Sequence, residues 1–259
     1  LSLPYKFGMG GLGENTKIVA GHADSWSIMW DEKYKGQVLM FNNSRDAFGI
    51  AQFLLGIDIN TTNAQDWEKA YEKLKEQKPI VQSYVMDDVF NKMEGGEAAI
   101  AAYYAGDCIS MAENNPDLAF VYPKEGTNIF VDSICIPKGC QNKEAAELYI
   151  NFMLREDIAL ANAEYMCYAT PNQAVLDDEE YSLRDNEMLY PDEEHTPPTE
   201  YFHNLDSEML MLMTSLWDNL KIEGNNDRSV YIGLITFAVI VVVYFIYRTI
   251  RKKKRESMY

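Results

Sequence analysis

Apolar residues recur every three or four positions in five stretches of the chain, which predicts five amphipathic helices. The predicted helices cover residues 44–55, 63–79, 143–154, 156–165 and 207–221. In the first, Ser44 is suited to cap the N-terminus, and Gly56 follows the last turn as a stop signal. In the last, apolar residues share one face, which predicts core packing. That face consists of Met209, Leu212, Met213, Leu216 and Leu220.

Short β-rich runs lie between these helices at residues 37–41, 98–104, 119–122 and 133–137. Alternating strands and helices are typical of α/β folds, so we predict an α/β protein with much of its sheet parallel. The glycine-rich run GMGGLG, residues 8–13, is not followed directly by a helical pattern. We therefore interpret it as a loop and not as a nucleotide-binding turn.

Residues 230–247 contain 18 consecutive uncharged positions. As a helix they would be roughly 27 Å long, enough to cross a bilayer. A buried core helix is the alternative, but tyrosines near both ends and the basic cluster RTIRKKKR that follows favour a membrane anchor. We expect residues 225–229 to be a linker, the tail 248–259 to be cytoplasmic, and residues 1–229 to be extracytoplasmic.

Composition and charge narrow the function classes. The 259 residues are 47% hydrophobic, and 40 acidic against 23 basic residues give a net charge of -17. These values exclude a disordered tail and a basic nucleic-acid binder. Six basic residues lie in the last 12 positions, so residues 1–229 carry -22. A surface of this sign attracts cations and repels phosphates.

The chain opens LSLPYKFGMG, without an initiator Met or a signal peptide, so we expect an N-terminal truncation. The four cysteines have no CxxC spacing and do not suggest zinc. They are Cys108, Cys135, Cys140 and Cys167. Their spacing leaves disulfide pairing open, and Cys135, inside the apolar run SICIP, is expected to be buried. We find no enzyme motif of the Ser-His-Asp, HExxH, P-loop or GxGxxG kind, and we expect no catalysis, cofactor or metal.

Seven segments, read in order, carry a family resemblance. They are PYKFGMGGLGENT, SWSIMWDEKYKG, NNSRDAFGIAQFLLG, GGEAAIAAYYAGD, FVYPKEGTNIFVDSICIPKG, KEAAELYINFMLRED and YATPNQAV. Their joint order over nearly all of residues 1–224 resembles the polyamine-binding proteins of ABC importers, the spermidine/putrescine receptors. The resemblance implies a type II periplasmic-binding-protein fold with the ligand held in a cleft between two lobes. Residues 1–131 and 177–224 would build the second lobe, and 132–176 the closing part of an incomplete first lobe.

The same resemblance implies a set of ligand contacts. Asp132 falls on the family's ammonium-binding Asp, with Phe130 as the aromatic residue two positions before it. Asp46 falls on an acidic position of the family, and Asn43 stands where the family usually has Asp. Alternative interpretations remain for both acids: Asp132 as a strand-end cap, and Asp46 as a first-turn acid that complements the helix dipole.

Three further positions follow from the resemblance. Tyr104 stands in the place of a Trp that flanks the methylene chain, and the neighbouring Tyr103 is expected to point to the opposite face of the strand. Tyr168 matches a ligand-contacting Tyr, and His203 aligns near a Gln.

The implied protein is an extracytoplasmic polyamine receptor. The implied partners are a polyamine ligand and the permease subunits of an ABC importer, and we expect a membrane-anchored monomer that binds no nucleic acid. The alternatives are a receptor of the same fold for a carbohydrate or another solute, and a membrane-anchored scaffold that binds no ligand.

Overall fold

A computed structural model describes residues 1–21 and 23–222, together with the isolated positions Phe237, Val239 and Tyr244. Contacts within the chain divide it into two units, Leu1–Thr214 and Ser215–Tyr259. Apart from those three positions, the predicted linker 225–229, anchor 230–247 and tail 248–259 lie outside the described residues. Among the residues described, no helix is both long and apolar enough to cross a bilayer.

The strands of the described residues form one mixed sheet of the order β3-β2-β4-β1-β6-β7, with β5 paired to β1. The strands are β1 Ser2–Asn15, β2 Val38–Phe41, β3 Val81–Val85, β4 Ile100–Tyr104, β5 Leu118–Val121, β6 Thr127–Cys135 and β7 Thr199–Tyr201. Strand β2 is parallel to β3 and β4, and β6 is parallel to β7. Strand β1 is antiparallel to β4, β5 and β6. The α/β class is confirmed. Much of the sheet is parallel as expected, and its three antiparallel pairings all involve β1.

Strand β1 is the longest of three strands that the sequence pattern did not reveal, the others being β3 and β7. The predicted loop at residues 8–13 is wrong, because this run lies inside β1. Residues 2–9 pair with β6, and residues 10–15 lie between β4 and β5. A Cβ on Gly8 would meet Cζ of Phe130 at 2.8 Å. Glycine therefore lets an aromatic ring lie directly on the strand, at the expense of the alternation by which strands are recognised.

All five predicted helices are present, and three shorter ones were not predicted. The helices are α1 Ser44–Leu55, α2 Ala64–Gln77, α3 Asp88–Glu94, α4 Ala105–Asn114, α5 Lys143–Met153, α6 Glu156–Met166, α7 Gln173–Asp177 and α8 Ser207–Ile222. Two 3₁₀ helices, Trp26–Trp30 and Glu32–Tyr34, precede β2. Helix α8 begins in the first unit and ends in the second. Its Met209 and Met213 are buried, as its apolar face predicts.

Helix α1 places the first acidic residue of the candidate site. Its N-cap is Asn43 and not Ser44 as predicted, because the Asn43 side chain accepts a hydrogen bond from the backbone N–H of Arg45 at 2.9 Å. The stop at Gly56 is confirmed, with a left-handed φ of 64° that glycine adopts without strain. The buried face of α1 carries Asp46 among apolar residues.

The core is rich in large apolar and aromatic side chains. Its largest fully buried side chains include Trp26, Trp67, Phe41 and Phe48. The expectation of a buried Cys135 is wrong: this residue pairs with Ser2 at the end of the β1–β6 ladder and is exposed there. All four cysteines are free thiols, with Cys108 and Cys167 buried and Cys140 at intermediate exposure.

Candidate functional site

Five aromatic rings meet where β2, β4 and β6 approach the segment that follows α6. We call Phe41, Tyr103, Tyr104, Phe130 and Tyr168 the aromatic cluster. The ring centroid of Tyr104 lies 4.9 Å from that of Phe41 and 5.0 Å from that of Phe130, and Phe130 lies 6.3 Å from Tyr168. Three residues chosen from sequence, Tyr104, Phe130 and Tyr168, therefore lie together. They come from parts of the chain more than 25 positions apart.

Tyr103 does not diverge from Tyr104 as strand alternation predicted. The two ring centroids lie 5.2 Å apart, and Tyr103 stacks on Phe41 with an interplanar angle of 19°. The reason is local, because Tyr104 is both the last residue of β4 and the N-cap of α4. The regular alternation of side chains ends at this junction.

Asp46 supplies a buried carboxylate beside the aromatic cluster. Its exposure is 5%, and it accepts hydrogen bonds from the Tyr104 hydroxyl at 3.0 Å and from Nδ2 of Asn128 at 3.3 Å. Burial raises the pKa of Asp46 to about 6, although both hydrogen bonds and the nearby Arg45 charge act in the opposite direction. The carboxylate is therefore mostly ionised at neutral pH, and both its hydrogen-bond donors are uncharged groups.

Asp107 is a second acid at the cluster, partly buried, and it was not among the residues predicted from the sequence. It lies in the first turn of α4 and accepts a 2.8 Å hydrogen bond from the Tyr168 hydroxyl. Burial raises the pKa of Asp107, while the hydrogen bond and the charge of Lys6 lower it. Burial and the adjacent acids also raise the pKa values of the Tyr104 and Tyr168 phenols. Both tyrosines therefore stay protonated and act as donors.

Asp132 lies opposite Lys6 in the β1–β6 ladder. Its carboxylate oxygen Oδ2 is 3.5 Å from Nζ of Lys6, and the side chain is 54% exposed. The same Nζ lies 3.9 Å from the centroid of the Tyr168 ring. Lys6 and Tyr168 also line a cavity of about 360 Å³ between β1, α6 and residues 168–173. The sequence analysis did not select Lys6.

Asn43 and His203 lie at one edge of α1. Asn43 uses its side-chain oxygen to cap the helix, three positions before Asp46. The backbone N–H of His203 donates to Oδ1 of Asn60 at 2.7 Å, and its carbonyl accepts from Nη2 of Arg45 at 3.3 Å. Both contacts of His203 are made by its backbone, and its side chain is exposed.

The arrangement combines three chemical features. Aromatic faces offer apolar contact and cation–π attraction. Buried Asp46 and partly buried Asp107 offer negative charge, and Asp132 adds a half-exposed acid. A ligand that matches them carries positive charges joined by apolar groups. Lys6 and Asp107 could not be predicted from the sequence. The position of Lys6 depends on its cross-strand register with Asp132, and the contact of Asp107 depends on where Tyr168 packs.

Comparison with known proteins places the chain in a family. The profile of the family described as "Bacterial extracellular solute-binding protein" matches residues 2–194. The crystal structure of the spermidine/putrescine ABC transporter substrate-binding protein PotD from Streptococcus pneumoniae, in complex with calcium and HEPES, superposes with a TM-score of 0.72 at 30% identity. It covers 85% of this chain and 68% of that one.

Two curated relatives are also named as polyamine-binding proteins. The spermidine/putrescine-binding periplasmic protein of Salmonella typhimurium is 34% identical over 192 residues, which are 74% of this chain and 55% of that protein. The putrescine-binding periplasmic protein PotF of Escherichia coli is 26% identical over 238 residues, which are 85% of this chain and 64% of that protein. The chain thus spans between about half and two thirds of the length of these curated relatives.

Proposed function

Because the chain belongs to the family of bacterial extracellular solute-binding proteins, we propose that it is a polyamine receptor of the spermidine/putrescine class that serves an ABC importer. The names of its relatives support this ligand class, since those proteins are described as binding spermidine or putrescine. In this proposal the chain binds its ligand without catalysis and passes it to permease subunits. The predicted lobes, 1–131 with 177–224 and 132–176, enclose the ligand.

The observation that carries the proposal is the buried carboxylate of Asp46 at the hydroxyl of Tyr104. An ionised group at 5% exposure, hydrogen-bonded by neutral donors, is costly unless a cation arrives to compensate its charge. A polyamine supplies that cation, and its methylenes can lie against the surface that the contacting rings of Tyr104 and Phe130 form, with centroids 5.0 Å apart. A carbohydrate would gain from the rings but would leave the charge of Asp46 offset only by the neighbouring Arg45.

In the same proposal, Asp132 holds one ammonium group and Asp46 another. Phe130, Tyr104 and Tyr168 contact the methylene chain of the polyamine between the two ammonium groups. Asn43 and His203 border the end of the site that is next to α1. The uncharged run 230–247 and the basic tail after it support a membrane anchor, with residues 1–229 outside the cell membrane. We propose that the receptor acts as a monomer.

Calorimetric titration of the 259-residue chain with putrescine, spermidine and spermine tests the proposal. We expect saturable binding of at least one polyamine and no heat with a neutral disaccharide or with citrate. Asp132→Asn should weaken polyamine binding tenfold or more, because it removes one charged hydrogen bond. Binding of the disaccharide or citrate without any polyamine binding would contradict the proposed ligand class.

A further inference from the structure

Lys6 already places an ammonium group where the proposed site would bind one. Its Nζ lies 3.5 Å from Oδ2 of Asp132 and 3.9 Å from the Tyr168 ring centroid. An acid on one side and an aromatic face on the other are the two partners that an ammonium subsite requires. We call these two groups the Asp132–Tyr168 subsite.

The lysine side chain also resembles the proposed ligand chemically. Four methylenes followed by an ammonium group form an aminobutyl arm, which is also present in putrescine and at one end of spermidine. Lys6 thus presents, from within the chain, the group that the ligand would bring. Ligand and lysine cannot both occupy the Asp132–Tyr168 subsite, because two ammonium groups at one carboxylate repel each other.

We propose that Lys6 is an intramolecular competitor that occupies the Asp132–Tyr168 subsite in the free protein and leaves it when a polyamine binds. This inference rests on the proposed function. Lys6 can leave at low cost, since its side chain is 26% exposed and it lines the 360 Å³ cavity next to Tyr168. It is held by one ion pair with a half-exposed acid, one ring contact and the charge of Asp107, and the first two are each of modest strength. Lys6 therefore lowers polyamine affinity without closing the site.

The test compares Lys6→Met with Lys92→Met in calorimetric titrations of the whole chain with putrescine and spermidine. Lys92 is a matched control: its Nζ lies 3.5 Å from Oε2 of Glu97, and its side chain is 28% exposed. Both variants remove one charge and one comparable ion pair, but only Lys6 touches the Asp132–Tyr168 subsite. We expect Lys6→Met to bind each polyamine about tenfold tighter, and Lys92→Met to stay within about twofold of the unmodified chain.

A second measurement follows the lysine itself. In the free chain labelled with ¹³C-lysine, the ε-methylene protons of Lys6 should be shifted upfield by the Tyr168 ring. This signal should be missing in Lys6→Met and should return to the ordinary lysine position when spermidine saturates the chain. Lys6→Gln provides a second variant, and thermal unfolding checks that each variant is folded.

The outcomes separate the two proposals. Polyamine binding that is unchanged or weaker in folded Lys6→Met and Lys6→Gln overturns the inference but leaves the proposed function intact. An ε-methylene signal of Lys6 that stays shifted upfield when spermidine saturates the chain also overturns the inference and leaves the proposed function intact. If no polyamine binds to the unmodified chain or to any variant, the proposed function fails and the inference fails with it.

Discussion

Asp46 links the stability of the protein to its proposed function. The carboxylate is 5% exposed, and burial raises its pKa to about 6 from an ordinary value of 3.8. The folded chain therefore binds this proton more tightly than the unfolded chain does. In consequence, the contribution of Asp46 to the free energy of unfolding falls as the pH rises from about 4 to about 6.

Replacing this acid should stabilise the protein at neutral pH and weaken ligand binding. We expect Asp46→Asn to raise the free energy of unfolding at pH 7.5 by on the order of 2–3 kcal/mol. The gain should shrink through pH 6 and become small at about pH 4, where Asp46 is neutral in the folded chain and about half neutral in the unfolded chain. Urea unfolding at pH 4, 5.5 and 7.5 measures the effect, and polyamine titration of the same variant should show weaker binding.

Asp132→Asn is the control for this experiment. It removes an acid from the same region, but the side chain of Asp132 is half exposed and not buried. We expect no comparable gain in stability from it. A gain for Asp46→Asn that is equal at pH 4 and pH 7.5 would show that ionisation of Asp46 has no part in the effect.

At the residue scale, the sequence could identify site residues that lie within recognisable motifs. Tyr104, Phe130 and Tyr168 fall in three of the quoted segments and do come together in the structure. Lys6 and Asp107 also lie in quoted segments, but the segments do not show which side chains these two residues meet. Lys6 reaches the site only through its register with Asp132, and Asp107 only through the hydroxyl of Tyr168.

At the scale of elements, α1 serves two purposes at its N-terminus. The side chain of Asn43 caps the helix, and Asp46 lies three positions later on the buried face. The helix N-terminus carries partial positive charge, which an acid at either position complements. The charge near the proposed ligand can therefore change at position 43 without loss of the cap, because Asn and Asp are comparable capping residues.

We expect Asn43→Asp to shift ligand preference and leave the stability of α1 nearly unchanged. The added charge should favour spermidine over putrescine by roughly 1 kcal/mol, which is about a fivefold change in the ratio of their affinities. Calorimetric titrations at fixed salt measure that ratio, since screening weakens each charge contact.

Asn63→Asp is the matched control, because Asn63 caps α2 by accepting from the N–H of Gln65 at 3.1 Å. It adds the same charge at the same position of a helix outside the aromatic cluster. If both variants change the affinity ratio equally, the effect comes from net charge, and Asn43 does not face the ligand.

Helices were easier to predict than strands, for a physical reason. The apolar face and the Gly56 stop of α1 are encoded within a few neighbouring residues. Strand β1 instead depends on partners far along the chain, and its glycines carry no side chains that could alternate. The contacts that define it, such as the Phe130 ring over Gly8, exist only in the folded protein.

At the scale of the whole molecule, the net charge affects the rate at which a charged ligand associates. The net charge of -17 should accelerate the encounter with a polycation. We expect the association rate of spermidine to fall about tenfold between 10 mM and 150 mM salt, because the Debye length shortens from about 30 Å to about 8 Å. Stopped-flow tyrosine fluorescence measures this rate. The dissociation rate should change much less, and an association rate independent of salt would exclude steering.

The pairing of β1 also determines when this protein can fold. Strand β1 is synthesised before every strand that it pairs with, and the first of these, β4, begins only at Ile100. At about 5–20 residues per second, β1 waits roughly 4–20 seconds for its first partner on the ribosome. Pairings this distant in sequence also make folding slow. The nascent chain consequently stays open for a period in which chaperones or a translocation machinery can engage it.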